Sequence, residues 1–253
     1  MRKILIIGIG AGNPDYVTIQ AIKALNQAHV FFIPDKGTEK AALRQLREEI
    51  CDRFIEKPGY RTVGFKVPDR DARGPDYRGG VEEWRGKLAD AYQHLFMEEL
   101  AEGECGAFLV WGDPALYDST LRILETIRDR GVALDYEVIP GISAVQALAA
   151  QHRIALNRIG EPILITTGRR IADGLPDDLD NVVVMLDGET AFRRLDGTDV
   201  DIYWGAYLGT GDEILVSGRL SEVTDEIDRV RREAREKNGW IMDTYLLRRV
   251  SED

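Results

Sequence analysis

A glycine, an aspartate and a proline, Gly112-Asp113-Pro114, follow the apolar stretch 106–110, and Tyr117 comes shortly after them. The Asp113 carboxylate can anchor a turn or a ligand, and the Tyr117 hydroxyl adds a second polar group. Glycine lets a ligand approach the backbone, and proline prevents a strand from continuing. Because ligands of open α/β sheets bind beyond the carboxyl ends of strands, we expect these residues to line a binding cleft. A plain strand-to-helix turn is the alternative interpretation.

A second glycine-rich turn, Gly8-Ile9-Gly10-Ala11-Gly12-Asn13-Pro14, follows the apolar residues at the N-terminus. The turn invites comparison with the dinucleotide-binding fingerprint, in which Asp35 would bind the ribose. The spacing argues against a dehydrogenase, because Asn13 stands where that fingerprint requires its third glycine. What the turn does predict is a backbone that a ligand can approach closely.

A third turn, Pro140-Gly141-Ile142-Ser143, follows the apolar residues 136–139. Ser143 is predicted to cap a helix over residues 144–151, since serine is among the preferred residues at a helix start. The free N–H groups of a helix start favour anionic or polar ligand atoms. This strand end is therefore a further candidate for ligand binding.

The composition is typical of a globular protein, since 44% of the 253 residues are hydrophobic and 30% are charged. The net charge of −11 argues against an extended nucleic-acid-binding surface. Two cysteines, Cys51 and Cys105, are too few for a disulfide framework or a zinc site, so we expect a reduced, cytoplasmic protein without a metal. No apolar run has the length of a signal peptide or a membrane span, so no membrane partner is expected.

Alternating strand and helix patterns predict an α/β fold with two domains. The first half is typical of a mainly parallel sheet. The second half predicts a mixed sheet, with residues 240–250 as a terminal edge or antiparallel strand. We expect an N-terminal α/β domain over residues 1–115, with an insertion at about 60–96, and a C-terminal α/β domain over residues 116–253. Within the insertion, glycines, prolines and alternating charges predict a long loop over residues 60–80.

Taken together, the three turns and the later motifs of the chain resemble those of one family, the tetrapyrrole methylases. These are the class III S-adenosylmethionine-dependent methyltransferases. The matching motifs are Gly8-x-Gly10-x-Gly12-x-Pro14 with Thr18, Gly112-Asp113-Pro114 with Tyr117, Pro140-Gly141-Ile142-Ser143, Thr167-Gly168-Arg169, residues 183–186 and Gly209-Thr210. One residue departs from the family pattern, because Ala11 replaces a proline in the first loop.

The resemblance implies an enzyme that binds S-adenosylmethionine in a cleft between its two α/β domains and releases S-adenosylhomocysteine, without a metal. The residues implied to contact the cofactor are Gly10, Ala11, Gly12, Trp111, Gly112, Asp113, Tyr117, Ser143, Ala144, Met185, Leu186, Gly209 and Thr210. The resemblance also implies a homodimer, for which residues 240–247 offer an apolar strand that could pack on a partner. An edge strand or a core element is the alternative interpretation of that segment.

Within the family, the chain is most similar to members that methylate precorrin-5 at ring carbon 1 and release acetate, in aerobic cobalamin biosynthesis. The stretches that carry this similarity are 7–24, 107–122, 136–153, 156–162, 201–211 and 240–249, together with the insertion. Methylation at another position, or of another tetrapyrrole, is the alternative within the family. A non-catalytic nucleotide-binding module is the alternative from another class.

Methyl transfer requires mainly positioning and a dry site, whereas acetate release requires a base or a polarising donor. Asp113 and Tyr117 are the proposed catalytic residues. The further candidates that the sequence offers are Asp35, His29, His94 and His152.

Precorrins carry several carboxylates, so an acidic protein must bind them through local positive charge. Arginine suits this function because its planar guanidinium matches a carboxylate bidentately. Arg169 and Arg170, at a predicted strand end, are ranked first, and Arg158 and Arg153 are further candidates. The arginines of the insertion, which could close over the macrocycle as a lid, are Arg61, Arg70, Arg73 and Arg78.

Overall fold

The computed structural model describes residues 2–35, 41–57, 59–68, 77–195 and 199–250 of the chain. Contacts within the chain divide it into two compact units. The first unit consists of residues 1–10 and 14–143, and the second of residues 11–13 and 144–253. The described part of each unit contains a five-stranded sheet with helices, so the prediction of two α/β domains is confirmed.

The first unit contains five strands, four α-helices and a 3₁₀ helix (Pro14–Tyr16) in its described residues. The strands are β1 (Arg2–Gly8), β2 (Val30–Asp35), β3 (Arg61–Lys66), β4 (Cys105–Val110) and β5 (Leu134–Ile139). The helices are α1 (Ile19–Leu25), α2 (Ala41–Phe54), α3 (Tyr77–Glu99) and α4 (Thr120–Asp129).

The first sheet is parallel throughout, in the order β3-β2-β4-β1-β5, as the sequence predicted. Side chains of β1 alternate between its two faces: Ile4 and Ile6 pack with α3 and α4, whereas Leu5 and Ile7 pack with α1 and α2. Because β1 and β4 are covered on both faces, their sequences are continuous apolar runs.

The division between the units differs from the boundary expected between residues 115 and 116. The first unit extends to residue 143, and therefore includes α4 and β5. The reason is strand pairing, because β5 lies beside β1 from Arg2↔Leu134 to Ile7↔Ile139.

The predicted loop over residues 60–80 was wrong in its first part, which forms strand β3. This strand pairs in parallel with β2 from Val30↔Arg61 to Asp35↔Lys66. Since β3 lies at the sheet edge, only Phe65 among its side chains is buried, and the strand lacks the apolar run that marks a buried strand. The following helix, α3, already begins at Tyr77.

The second unit contains five strands, three α-helices and a 3₁₀ helix (Ala191–Leu195) in its described residues. The strands are β6 (Ile163–Thr167), β7 (Asn181–Met185), β8 (Val200–Ala206), β9 (Ile214–Arg219) and β10 (Asp243–Arg249). The helices are α5 (Ala144–His152), α6 (Gly168–Ile171) and α7 (Leu220–Asn238).

The second sheet is mixed, as predicted, in the order β6-β7-β10-β8-β9. Strands β6 and β7 are parallel, whereas β10 runs antiparallel to both β7 and β8. The terminal strand is therefore central and not an edge strand, and Tyr245, Leu246 and Leu247 are at most 1% exposed. A strand buried in this way cannot supply the dimer interface for which residues 240–247 were considered. No helix in the described ranges is long and apolar enough to cross a membrane.

Candidate functional site

Three strand ends of the first unit meet at glycines. A Cβ atom on Gly141, just after β5, would lie 2.1 Å from the Gly112 carbonyl oxygen and 2.8 Å from the Gly8 carbonyl carbon. A Cβ atom on Gly8, at the end of β1, would lie 2.6 Å from the Gly141 nitrogen. Real Cβ atoms essentially never approach other atoms this closely, so the packing of the three turns depends on glycine at positions 8 and 141.

Beyond the parallel strands, the first two turns form a short antiparallel bridge. The Gly112 N–H donates to the Gly10 carbonyl (2.8 Å), and the Gly10 N–H donates to the Gly112 carbonyl (3.3 Å). Both glycines have positive φ, 83° at Gly10 and 70° at Gly112, which favours glycine at each position. The bridge fixes the backbone of both turns at the carboxyl edge of the sheet.

The Asp113 carboxylate fastens the second turn to the third. One oxygen accepts a hydrogen bond from the Ala115 N–H (2.8 Å), and the other accepts one from the Gly141 N–H (2.8 Å). Asp113 thus anchors two loops, which is one of the two functions that its position in the sequence suggested. Since both oxygens already accept a backbone N–H, the arrangement favours this anchoring function over that of a general base.

Tyr117 follows this turn with a left-handed backbone, φ 55°, and a 45% exposed side chain. For a bulky residue this conformation is unusual, and it turns an aromatic side chain toward solvent at the edge where the glycine turns meet. Burial of part of the side chain raises the pKa of Tyr117, so its hydroxyl stays protonated at neutral pH and can donate a hydrogen bond.

Trp111 lies between β4 and Gly112, partly buried against the cluster around Ile139. Its indole N–H is buried and has no acceptor among the described residues. A buried donor without an acceptor costs about 1–3 kcal/mol, so an acceptor supplied by a ligand would be favoured there.

Arg47 of α2 supports the end of β4 from beside the turn. Strand β2 pairs with β4 only from Val30↔Gly106 to Phe32↔Phe108, and beyond that point the Arg47 Nε donates to the Leu109 carbonyl (3.0 Å). Burial lowers the pKa of Arg47 to about 10, which leaves the side chain charged at neutral pH. A side chain thus satisfies a carbonyl that the sheet leaves unpaired.

The predicted cofactor-binding residues of the second unit gather at one edge of its sheet. The register Thr167↔Met185 and Asp243↔Ala206 brings the carboxyl ends of β6, β7 and β8 to the same edge. Leu186 follows Met185 there, and Gly209-Thr210 follow β8. Met185-Leu186 and Gly209-Thr210 were predicted from two separate motifs, and strand pairing brings them to one edge.

The first glycine turn contributes Ala11–Asn13 to the second unit. A Cβ atom on Gly12, whose φ is 136°, would lie 2.4 Å from the Leu208 carbonyl oxygen and 2.7 Å from Thr210 Cγ2. Glycine is therefore the only residue type that fits against this loop. The loop itself is fixed by Glu213, whose carboxylate accepts a hydrogen bond from the Gly209 N–H (2.6 Å).

The four candidate substrate arginines occupy different parts of the second unit. Arg169 and Arg170 are exposed in α6, directly after β6, at the edge just described. Arg158 lies at the opposite edge, where it pairs with Asp180 (3.2 Å) and donates to the Arg249 carbonyl (2.6 Å). This placement does not support a carboxylate-binding function for Arg158. Arg153, with φ 56°, is the left-handed residue that follows α5.

Other candidates are distributed away from these loops. His29 Nδ1 accepts a hydrogen bond from the Cys105 N–H (3.1 Å) at the amino-terminal edge of the first sheet. His152 Nε2 lies 3.0 Å from the Trp204 carbonyl, His94 is exposed on α3, and Asp35 ends β2. In the insertion, Arg61 pairs with Glu104 (3.0 Å). Arg70 and Arg73 lie outside the described residues, as does the side chain of Arg78.

Asp187, which is 4% exposed immediately after Leu186, was not predicted from the sequence. Its Oδ2 accepts hydrogen bonds from the Tyr245 hydroxyl and from the Ala191 N–H, both at 2.7 Å. The only local signal was an aspartate and a glycine, Asp187-Gly188, directly after a strand, as at Gly112-Asp113. Within the described ranges, no group of three His, Cys, Asp or Glu side chains could hold a metal ion.

The chain is similar to proteins of tetrapyrrole metabolism over its whole length. Precorrin-6A synthase (deacetylating) from Sinorhizobium sp. is 55% identical over 250 residues, which cover 98% of this chain and 96% of that protein. Probable cobalt-precorrin-2 C(20)-methyltransferase from Methanocaldococcus jannaschii is 23% identical and covers 73% of this chain and 72% of its own.

Solved structures give the same result. A putative cobalamin synthesis related protein from Corynebacterium diphtheriae matches with a TM-score of 0.85 at 40% identity, covering 99% of this chain and 100% of that one. Uroporphyrin-III C-methyltransferase from Thermus thermophilus, complexed with S-adenyl homocysteine, matches with a TM-score of 0.56 at 17% identity, covering 97% and 96%, and this shows the shared fold. The model of the Tetrapyrrole (Corrin/Porphyrin) Methylases matches residues 3–224, and the chain therefore belongs to that family.

Proposed function

We propose that the protein methylates precorrin-5 at ring carbon 1, with S-adenosylmethionine as methyl donor, and releases acetate to give precorrin-6A. The observation that carries this proposal is the 55% identity with precorrin-6A synthase (deacetylating) over 98% of the chain. For each turnover, the substrate gains one methyl group, while its acetyl group leaves as acetate after addition of water.

The first-unit loops fit a polar cofactor that is bound largely by backbone groups. At Gly8 and Gly141 the neighbouring backbone leaves no room for a side chain, and at Gly112 the positive φ favours glycine, so this edge offers backbone groups and not side chains to a ligand. The Trp111 indole adds a buried donor with no acceptor among the described residues. S-adenosylmethionine carries a carboxylate and ribose hydroxyls that can accept such hydrogen bonds, and when bound it supplies an electrophilic methyl group. Asp113 would keep the second and third turns in register by its two hydrogen bonds.

The second-unit residues predicted to contact the cofactor belong to this proposal as well. They are Ala11, Gly12, Ala144, Met185, Leu186, Gly209 and Thr210. Support comes from the close packing of Gly12 against Leu208 and Thr210, which leaves no room for a larger residue. In the first unit, Gly10 and Ser143 complete the set, and Ser143 is buried directly before α5.

For acetate release we assign Tyr117 the function of polarising donor. The reacting acetyl carbonyl becomes more electrophilic when a hydroxyl donates to its oxygen, and the exposed Tyr117 side chain carries such a hydroxyl beside the Asp113 turn. Arg169 and Arg170 are the proposed partners of the substrate carboxylates, because they are exposed beside a strand end.

The test is incubation with isotopically labelled S-adenosylmethionine and precorrin-5, followed by mass spectrometry of the tetrapyrrole and assay of free acetate. We expect one methyl gained and one acetyl lost, in equal amounts. Methyl gain without acetate would favour methylation at another position or of another tetrapyrrole. Binding of S-adenosylhomocysteine without any methyl transfer would favour the non-catalytic module.

We further propose a cytoplasmic homodimer. The central position of β10 excludes that strand as the interface, so the dimer must use another surface of the chain. Light scattering at micromolar concentration tests the proposal, since a monomer mass would contradict it.

A further inference from the structure

Leu186 combines two energetically unfavourable features. Its φ is 55°, in the left-handed region that a branched side chain rarely adopts, and its side chain is 64% exposed. It directly follows β7, at the edge of the second sheet where Thr167 and Met185 pair. A strained backbone and an exposed apolar side chain at a strand end together point to a function in ligand contact.

The buried carboxylate of the next residue holds this conformation. Asp187 Oδ2 accepts from the Tyr245 hydroxyl (2.7 Å) and the Ala191 N–H (2.7 Å), and Oδ1 accepts from the Glu189 N–H (3.1 Å). The Asp187 carbonyl accepts from Arg231 (2.8 Å) on α7. Met185 is held by the sheet on one side of Leu186 and Asp187 by these bonds on the other, and Leu186 joins these two fixed residues with its left-handed backbone.

The same carboxylate packs against the neighbouring loop. A Cβ atom on Gly168, the first residue of α6, would lie 2.4 Å from Asp187 Oδ1. Gly168 directly precedes Arg169 and Arg170. The position of Asp187 therefore determines where both Leu186 and the start of α6 lie at this edge.

We propose that Asp187 and Tyr245 are positioning residues, which preset Leu186 for contact with the methyl-donor cofactor and hold the Arg169-Arg170 segment beside it. This inference rests on the proposed function, because it assigns the preset loop to the cofactor of that reaction. Tyr245 lies in the centre of the sheet and is 0% exposed, so it acts on this loop from inside the protein, through its hydrogen bond to Asp187 and its edge-on contact with the Phe192 ring (5.5 Å between centroids). Burial raises the pKa of Tyr245, which keeps its hydroxyl protonated as the donor.

The first test compares Tyr245→Phe with a matched control, Asn181→Ala. Asn181, at the other end of β7, is also 0% exposed and accepts a hydrogen bond from Arg248 Nε (3.0 Å). Each variant removes a hydrogen bond between β10 and the segment that contains β7, and Asn181→Ala also removes a buried amide N–H that has no acceptor among the described residues. We expect Tyr245→Phe to weaken S-adenosylhomocysteine binding at least about fivefold by calorimetry, and Asn181→Ala to change it less than twofold. Equal, small changes in both would overturn the proposal.

The second test relieves the strain at Leu186. With Leu186→Gly, the left-handed conformation no longer needs to be held, although the side-chain contact is lost. Tyr245→Phe should then weaken binding less than twofold in the Leu186→Gly background. A fivefold loss in both backgrounds would mean that Tyr245 does not act through the conformation of Leu186.

A third measurement needs no ligand and separates this inference from the proposed function. Hydrogen exchange of the segment 186–192 reports the Glu189 and Ala191 amides that bond to Asp187. We expect Tyr245→Phe to raise exchange several-fold in this segment, and Asn181→Ala, the control, to leave it unchanged. If Tyr245→Phe folds poorly, Asp187→Asn is measured in its place, with the same expected result. Wild-type exchange in both variants would refute the positioning function. A wild-type protein that binds no S-adenosylhomocysteine would instead refute the assigned cofactor.

Discussion

Gly141→Ala is the sharpest perturbation of the first-unit loops, because it adds one methyl group where three turns converge. The new Cβ atom would lie 2.1 Å from the Gly112 carbonyl oxygen, and 2.8 Å and 2.9 Å from the carbonyl carbon and the Cα of Gly8. All of these are backbone atoms, so no flexible side chain can move aside to make room.

The magnitude follows from the displacement that is needed. Ordinary van der Waals contact begins at 3.4 Å, so the Gly141 and Gly112 turns must separate by at least about 1 Å. Overpacking of this kind costs about 1–3 kcal/mol of stability. Separation would also stretch the hydrogen bond from the Gly141 N–H to Asp113, which is 2.8 Å long. A misplacement of about 1 Å in positioning groups can lower a rate about 10²-fold.

The assay measures S-adenosylhomocysteine affinity by calorimetry and single-turnover methyl transfer, alongside thermal unfolding. Gly64→Ala is the matched control, since Gly64 lies in the same unit and needs no positive φ, and a Cβ atom added to it would meet no atom within 4 Å. We expect Gly141→Ala to lose at least about tenfold in affinity or about 10²-fold in rate, and Gly64→Ala to resemble the wild type.

A folded Gly141→Ala protein with wild-type affinity and rate would refute this reasoning. It would mean that the third turn can move without consequence, and that the converging glycines serve packing alone.

Asp113→Ala removes acceptors for two backbone N–H groups and should weaken S-adenosylhomocysteine binding by about 1–3 kcal/mol in calorimetry; wild-type affinity in the folded variant would contradict this. Arg169→Ala combined with Arg170→Ala should weaken tetrapyrrole binding in fluorescence titration while leaving S-adenosylhomocysteine affinity nearly unchanged. Arg61 lowers the pKa of Glu104 to about 2, so the carboxylate stabilises the folded state above its unfolded pKa of about 4.3, and this contribution is lost as pH falls toward 2. Because the pair is partly exposed, Glu104→Gln should cost at most about 1 kcal/mol in urea unfolding at pH 7, and the difference from wild type should shrink below pH 4.5.

The sequence predicted the first-unit turns well because buried parallel strands leave a clear signal. β1 has a continuous apolar run that ends at Gly8, and β4 has one that Gly112 follows after a single residue, Trp111. β3 leaves no such signal, because it is an edge strand in which only one side chain is buried and the polar side chains are exposed. Its pairing with β2 is a long-range contact, which local pattern cannot reveal.

The hydrogen-bond partners of the site residues were harder to predict from the sequence than the identity of those residues. The Asp113 turn was identified from Gly112-Asp113-Pro114, yet its partner Gly141 lies 28 residues later in the chain. The Asp187–Tyr245 bond spans 58 residues and depends on the register of β10 beside β7. Strand register of this kind is set by the packing of the whole sheet, and no local sequence motif around Asp187 or Tyr245 predicts it.

The two edges of the second sheet use arginine in opposite ways. Where β7 begins, Arg158 and Arg249 donate to backbone carbonyls, and Arg158 also pairs with Asp180, so their charge is used to hold the fold together. Where β7 ends, Arg169 and Arg170 are exposed beside a loop that Asp187 fixes. The chain has a net charge of −11, so an acidic ligand requires a local positive charge that is exposed to solvent. Arg169 and Arg170 provide such a charge. Loss of arginine should therefore reduce stability at the first edge and substrate affinity at the second.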